Sequence, residues 1–314
     1  MPLNGPSDAF VLQFETEYDL LFQQRMARLA QDVRTKDGVT GTMAAFGLLG
    51  PSDVEDITGD RHGETTFTDD PSYRRWAVRR DYETAKMLDQ EDEMSVLVDL
   101  QMGYTANSVA AMNRKADKVV IDAVTATAVS GATGTGTVAY STTTAVADGS
   151  GGNQIPSSAT GLTPDKMRLA RAVFDAREVG VDEVEQGMSP FVWVTTGGGH
   201  AQLLTFTEAT SSDYIGVEIV NGAEIARRMP LVQGRIPYYM GFRIKISNQL
   251  NLSGTDVVNL AWHTKAMGFA RWAGRQITVD RLPTRHNATG LIIKEHFGAV
   301  RVHDLGVLSI LCNP

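Results

Sequence analysis

Hydrophobic and polar positions along this chain change period several times, and each period predicts a different element. Over residues 8–34, Phe10, Phe14, Tyr18, Leu21 and Leu29 recur at helical spacing, while Glu15, Glu17, Asp19, Arg25 and Arg28 occupy much of the remaining surface. Ser7 or Asp8 supplies an acceptor for the first-turn amides and Gly38 lies just past the end, so an amphipathic terminal helix is expected. From Asp92 to about Thr127 there is no proline and only one glycine, Gly103. Met94, Val98, Met102, Ala106, Val109, Met112, Ala116, Val120 and Ala123 hold one stripe, predicting a continuous helix roughly 54 Å long. Asp92 and Glu93 open it, where the helix dipole favours acids. Charged partners over sustained heptads are missing, which points to a spine lying across a sheet, not a coiled coil. A shorter helix follows Thr163 as cap and Pro164 at the first turn, with Leu169, Val173 and Ala176 facing inward until Gly180.

Residues 39–90 have neither period for long. Gly41, Gly47, Gly50, Pro51, Gly59, Gly63 and Pro71 break the segment, and acids crowd between them. Glu64–Thr68 and Tyr73–Tyr82 look extended, so the segment reads as a long two-stranded excursion with little core of its own. An isolated hairpin is marginal in water and must lie on something, either its own domain or an adjacent subunit. Aromatic and arginine side chains are frequent interface anchors. Tyr73, Arg74, Arg75, Trp76, Arg79 and Arg80, with Phe10, Phe14 and Tyr18 of the first helix, are therefore the candidate inter-subunit contacts.

Residues 130–161 hold 7 Gly, 7 Thr and 5 Ser with Asp148 the only charge; Val138–Val146 suits a short hairpin, and the flanks have the composition of flexible linker. The remainder is strand-rich. Phe191–Thr195 is a continuous apolar run typical of a buried strand, and Arg235–Ser247, Asp256–His263, Gln276–Leu282, Gly290–His296, Ala299–His303 and Val307–Cys312 look extended. The expected fold class is α+β.

The chain has 314 residues, 42% hydrophobic and 21% charged, enough to bury a sizeable core without disulfide or metal. Cys312 is its one cysteine, which excludes an intramolecular disulfide and a CxxC zinc site and suggests a reducing place of assembly. No apolar run predicts a transmembrane span, and MPLNGPSDAF lacks the pattern of a signal peptide, so no membrane partner is expected. A net charge of −8 disfavours a sequence-independent nucleic-acid binder. That charge is uneven: residues 1–100 carry 10 basic and 20 acidic residues, residues 201–314 carry 12 and 8. Such ends are either separately solvated faces or complementary surfaces of neighbouring copies.

None of His62, His200, His263, His286, His296 and His303 has the spacing of a helical metal pair. Thr195–His200, TTGGGH, could cradle phosphate as a hydrolase or transferase loop would, but it lacks the GK[ST] that supplies a cation and a magnesium ligand. A tight strand-to-helix turn accounts for it better. Gly187–Phe191 fails the nucleophile-elbow pattern at its last position, Cys312 sits in an apolar strand, and the acids of Asp89–Glu93 fit a helix N-terminus. No catalytic, cofactor or metal site is expected; the chain reads as built for shape.

The order of these parts resembles a tailed-bacteriophage major capsid protein of the Hong Kong 97-like fold. The resemblance rests on DDPSYRRWAVRRDYETAKMLDQED leading into AMNRKADKVVIDAV, and on HTKAMGFARWAGRQITVDRLP followed by GAVRVHDLGVLSILCNP. It implies an N-terminal arm (1–40), an extended loop (41–90), a peripheral domain (91–185 and 276–303) with a spine helix (92–127), and an axial domain (186–275 and 304–314). It implies copies joined as hexamers and pentamers in an icosahedral virion shell around double-stranded DNA. The implied partners are a separate scaffolding protein, a portal and a decoration protein, with assembly in the host cytoplasm. An encapsulin-like compartment shell is the alternative within the fold. Some relatives cross-link a loop lysine to an asparagine; no lysine lies between Lys36 and Lys86, so no such bond is expected. The N-terminus looks too short for a cleaved scaffolding segment, and Gly103 is a candidate hinge of the spine helix.

Overall fold

In the computed structural model, residues 22–52, 54, 67, 69–89, 100–206, 219–220, 223–224 and 234–314 are described. The chain divides into two compact units. One takes the residues through Met26, Asp81–Lys115 and Gly274–His296; the other takes Ala27–Arg80, Ala116–Ala273 and Phe297–Pro314.

Strand β8 (Phe191–Thr195) is the middle of the larger unit. It is buried along its whole length because β12 (Phe242–Ile246) pairs with it in parallel on one side and β14 (Asp256–His263) antiparallel on the other. A strand with neighbours on both edges and cover on both faces must be apolar throughout, as FVWVT is. The sheet order runs β11 (Tyr238–Tyr239), β12, β8, β14, β17 (Val307–Cys312), β7 (Gln154–Ile155), with β13 (Leu252–Ser253) paired to β14. Phe174, Phe191, Trp193 and Phe242 form an aromatic cluster within its core, Phe174 stacking on Phe191 at 4.9 Å. Phe174 belongs to a helix running Pro164–Ala176, capped by the Thr163 hydroxyl, which accepts from the Lys166 N–H. That helix buries Met167, Ala170, Val173 and Phe174, while Leu169 is half-buried and Ala176 exposed, so its inward face is turned from the expected stripe. Residues 154–176, expected with the peripheral domain, thus pack in the core of this sheet.

Helix α1 (Leu100–Thr125) spans 26 residues, about 39 Å at 1.5 Å per residue, and continues through Gly103. The part expected at 92–99 lies outside the described residues. Of its expected stripe Met112, Ala116 and Val120 are buried and Val109 and Ala123 half-buried, whereas Met102 and Ala106 are exposed; Ala110, Ile121 and Val124, outside the stripe, are buried too. We label the Pro164–Ala176 helix α2; α3 is Val181–Glu185 and α4 is Gly197–Leu204.

The expected helix over 8–34 is not continued in its described part. Residues 22–33 are irregular, followed by β1 (Arg34–Asp37), which pairs in parallel with Gly268–Arg271. Side chains of α1 supply what a helix would have supplied. The Asp117 carboxylate accepts the backbone N–H of Arg28 at 2.9 Å and of Leu29 at 3.0 Å. In the smaller unit, Asn113 donates to the Arg25 carbonyl at 2.7 Å and Arg114 to the Gln24 carbonyl at 3.2 Å. Phe10, Phe14 and Tyr18 lie outside the described residues.

Strands β2 (Met43–Leu49) and β3 (Ser72–Val78) pair antiparallel with Phe46 opposite Arg75, so the partner of the Tyr73 stretch is 43–49. Of the strand expected at Glu64–Thr68 only Phe67 is among the described residues, and the expected run to Tyr82 is broken at Arg79. Strands β2 and β3 continue into β5 (Ala128–Ser130) and β6 (Gly136–Val138) as a four-stranded sheet. A further sheet runs β1, β15 (Met267–Leu282), β16 (Ala288–Arg301), β4 (Arg80–Leu88). The remaining pair is β9 (Ile219–Val220) with β10 (Ala223–Glu224). Within the smaller unit, buried Glu295 of β16 accepts from Arg275 of β15 at 3.0 Å, and Arg275 also reaches Asn113 at 2.8 Å.

The glycine-rich stretch 130–161 is not a linker, and Val138–Val146 is not a hairpin. The β5–β6 turn takes its first glycines, and a second turn returns Ala145 to pair with Gly151. Arg177, just past α2, donates to the carbonyls of Gly149 and Gly152 and to Asn153 Oδ1 at 2.7–3.0 Å. Small residues leave carbonyls accessible, and one guanidinium fork takes several of them. Replacing Arg177 with alanine should leave the sheet intact yet make 140–153 the first site of cleavage in limited proteolysis, monitored by mass spectrometry.

Candidate inter-subunit surface

The candidate residues of the excursion fall on opposite faces of the β2–β3 hairpin, and their surroundings change along its length. At the root, Ala44, Phe46 and Ala77 are buried with Ala128, Ala270, Trp272, Val300 and Val302. Phe46 is the anchor. A Cβ on Gly268 of β15 would lie 2.8 Å from its ring, so glycine at that position lets the ring rest on the strand backbone. Lys36 stands over the other side at 4.9 Å from the ring centroid. At its root the hairpin therefore rests on its own domain.

Trp76 is half-buried; its Nε1–H donates to the Gly131 carbonyl at 2.7 Å and Arg74 lies over its ring at 5.7 Å. Arg75 turns the other way and donates to Asp304 Oδ2 at 2.5 Å. Arg79 and Arg80 are exposed. Beyond the root the hairpin carries exposed apolar side chains: Tyr73 is 60% exposed, Leu49 72%, Phe67 93% and Val54 96%. A groove of about 720 Å³ runs along this end, lined by Leu48, Leu49, Tyr73, Arg74, Ser130 and Ala132 among others. Gly103 is open as well, since a Cβ there would meet nothing within 4 Å. Close packing among the described residues does not explain that glycine.

The residue that holds the root in place is Arg301, which has no exposed surface. Its guanidinium donates to the Val124 and Ala126 carbonyls where α1 ends, to the Val138 carbonyl of β6, and to Asp304 Oδ1. Asp304 joins it to Arg75, so the end of α1, β6 and β3 meet on one carboxylate. Tyr140 faces the Arg301 guanidinium at 5.1 Å and donates to the Asn153 carbonyl at 2.6 Å. Burial pushes its phenol up to about 12, against opposing hydrogen bonds from Ser309 and the charges of Arg301 and Arg177, so it stays a donor. Asp304 and Arg301 were absent from the expected contacts. The signal available was a lone arginine in the apolar run GAVRV, since a charge in a buried strand demands a partner.

Thr195–His200 is the strand-to-helix turn from β8 into α4. The Thr196 hydroxyl accepts the Gly199 N–H at 3.2 Å, and Asn248 Oδ1 accepts the Gly197 N–H at 3.3 Å. A Cβ on Gly199 would lie 2.4 Å from Thr195 Oγ1, which accounts for a glycine. Buried His200 accepts the Ile236 N–H, and burial lowers its pKa. These amides are capped by the chain itself, which removes the support for a hydrolase or transferase loop. Among the described residues no group of His, Cys, Asp and Glu could hold a metal ion, and no helix is long and apolar enough to cross a membrane.

A long helix ending on a buried arginine, a hairpin anchored at its root and a broad mixed sheet make up the architecture of the described residues. Solved structures show the same fold. The capsid of Ralstonia phage GP4 superposes with a TM-score of 0.68 at 11% identity, covering 100% of this chain and 98% of that one. The capsid of cyanophage P-SCSP1u gives 0.66 at 14%, covering 98% and 94%. A chain of Mycobacterium phage Che8 gives 0.64 at 17%, covering 96% and 97%. No curated protein matches the chain. The sequence profile described as "Phage capsid protein" matches residues 7–313, and the chain belongs to that family. It is a structural subunit of a phage capsid, self-associating in the shell of the virion.

Loss of the Arg301 fork strands several buried carbonyls and the Asp304 carboxylate. Arg301→Ala should destabilise the unassembled chain by about 3–5 kcal/mol, the range for breaking a buried charged network. Urea unfolding followed by circular dichroism reads this, and Arg301→Lys should recover only part, because an ammonium cannot fork.

Proposed function

We propose that copies of this chain join as hexamers and pentamers that close an icosahedral head around double-stranded DNA, with the β2–β3 hairpin of each copy reaching across a neighbour. The observation that carries this reading is the hairpin itself, fixed at the root by Phe46 and the Arg75–Asp304 pair and left apolar and open at Leu49, Val54, Phe67 and Tyr73. Large exposed apolar side chains at the end of an anchored element mark an interaction surface. Tyr73, Arg74 and Trp76 form the contact candidates there, with Arg79 and Arg80 beside them, Arg75 serving the root, and Phe10, Phe14 and Tyr18 contributing from the arm. The domain reading follows the Hong Kong 97-like plan: arm 1–40, loop 41–90, peripheral domain with spine helix, and axial domain. Packing of residues 154–176 against β8 favours placing them with the axial part. A separate scaffolding protein, a portal and a decoration protein complete the particle assembled in the host cytoplasm, and the role is structural without catalysis.

Size-exclusion chromatography and negative-stain microscopy of the expressed protein should show megadalton shells; a small defined oligomer would refute the reading. Nucleic-acid content of particles separates a phage head from an encapsulin-like shell. Tyr73→Ala should change the stability of the unassembled chain by no more than about 0.5 kcal/mol, as an exposed substitution does, while lowering the yield of shells. Gly103→Ala should stabilise α1 by about 1 kcal/mol. Should Gly103 ease bending of the spine, those shells assemble but expand more slowly; unchanged expansion rates, read by light scattering, would dismiss a hinge.

A further inference from the structure

His263 closes β14 with 5% of its surface exposed, and both of its ring nitrogens are committed. Nδ1 accepts the backbone N–H of Lys265 at 3.1 Å, and Nε2 lies 3.0 Å from Glu183 Oε2 on α3. An N–H at Nδ1 fixes the neutral tautomer with its hydrogen on Nε2, donated to Glu183. The ring stands edge-on to Phe191 at 5.4 Å and lies against the backbone of Gly180, where a Cβ would come within 2.7 Å of it. A second proton can therefore go only to Nδ1, where it would face the Lys265 N–H and abolish the side-chain cap of the turn Thr264–Ala266.

That turn is a fastening. The Ala266 carbonyl accepts the N–H of Val302 at 2.8 Å and of His303 at 3.1 Å, and the His263 N–H donates to the Gly306 carbonyl at 2.9 Å. Between those residues sits Asp304, the carboxylate that takes Arg301 and Arg75. We infer that His263 is an acid-sensitive latch: neutral, it caps the Thr264–Ala266 turn that is fastened to the Val302–Gly306 turn; protonated at Nδ1, it keeps its bond to Glu183 but loses that cap, which loosens the turn and the seat of β3. The latch stands on this geometry alone, while its consequence for the setting of the hairpin in a shell rests on the capsid reading.

The ionisable groups facing the ring are Glu183 from α3, Lys265 from its own turn and His303 from the Val302–Gly306 turn. Burial pushes His263 below the usual histidine range, Lys265 and His303 push the same way, and Glu183 opposes them. Burial raises Glu183, yet Lys265 and His263 together outweigh it and hold its carboxyl below the usual range. A histidine depressed by folding gives stability that is complete above about pH 6.5 and is lost as pH falls toward the folded value.

Hydrogen exchange of the full-length, unassembled chain, divided by the intrinsic rate and followed by mass spectrometry from pH 7.5 to 5, tests this. Peptides covering 263–266 and 302–306 should open faster in acid by up to about tenfold per pH unit, the limit for uptake of one proton. His263→Gln keeps the hydrogen-bonding groups without the titration and should abolish the acceleration. Glu183→Gln removes the charge that favours the imidazolium, so the acceleration should extend to lower pH before it levels, and this variant decides the matter if His263→Gln does not fold. Acceleration that persists unchanged in His263→Gln, an acid-indifferent wild type, or a Glu183→Gln profile identical to the wild type would each overturn the latch. None of these readouts depends on shell formation, so failure of the latch and failure of the capsid reading are separately visible.

Discussion

Cations donating to main-chain carbonyls, Arg301 and Lys166 buried and Arg177 half-buried, are the interaction on which the larger unit depends. Arg301 takes the carbonyls that α1 leaves unpaired at its end, Arg177 takes those of the glycine-rich turns, and Lys166 takes a cage of carbonyls from Ser157, Thr160, Gly161 and Leu311. Much of the chain between α1 and α2 is neither helix nor long strand, so its backbone groups need other partners when buried. A cationic donor meets that need more strongly than a neutral one, and a guanidinium satisfies several acceptors at once. The cost is desolvation of the charge, offset only while every bond is in place.

This arrangement has a mechanical consequence. The same guanidinium that ends the spine helix is tied through Asp304 to the strand that carries the hairpin, so the spine, β6, the end of β16 and the loop root share one junction. Past that junction the hairpin carries the exposed apolar side chains Leu49, Val54, Phe67 and Tyr73. In the proposed reading, stability of the subunit and strength of its contacts are thereby carried by different residues.

The candidate surface was partly legible before any coordinates. Tyr73 and the arginine-flanked Trp76 were visible as an aromatic and basic cluster in a segment too poor in apolar residues to fold alone. Which of them faces outward was not, because alternation alone cannot say which face of a hairpin meets its own core; Phe46 on the partner strand and Gly268 on a distant one decide that. The arm shows the opposite failure. Helical spacing over 8–34 was genuine, but Asp117 captures the Arg28 and Leu29 amides in the described part, and a tertiary hydrogen bond outcompetes local propensity.

By itself the sequence determined the elements whose partners are local or whose burial is complete: the run of α1, the Thr163–Pro164 helix start, β8, β14 and the closing strand. In each case periodicity or an unbroken apolar run leaves one conformation that satisfies both backbone and side chains. Only the tertiary structure decided the fate of the glycine-rich stretch, the path of residues 22–33, and the junction at Asp304. Those depend on charges more than a hundred residues apart in places, such as Arg75 and Asp304, meeting where water is excluded, and no local pattern encodes that meeting.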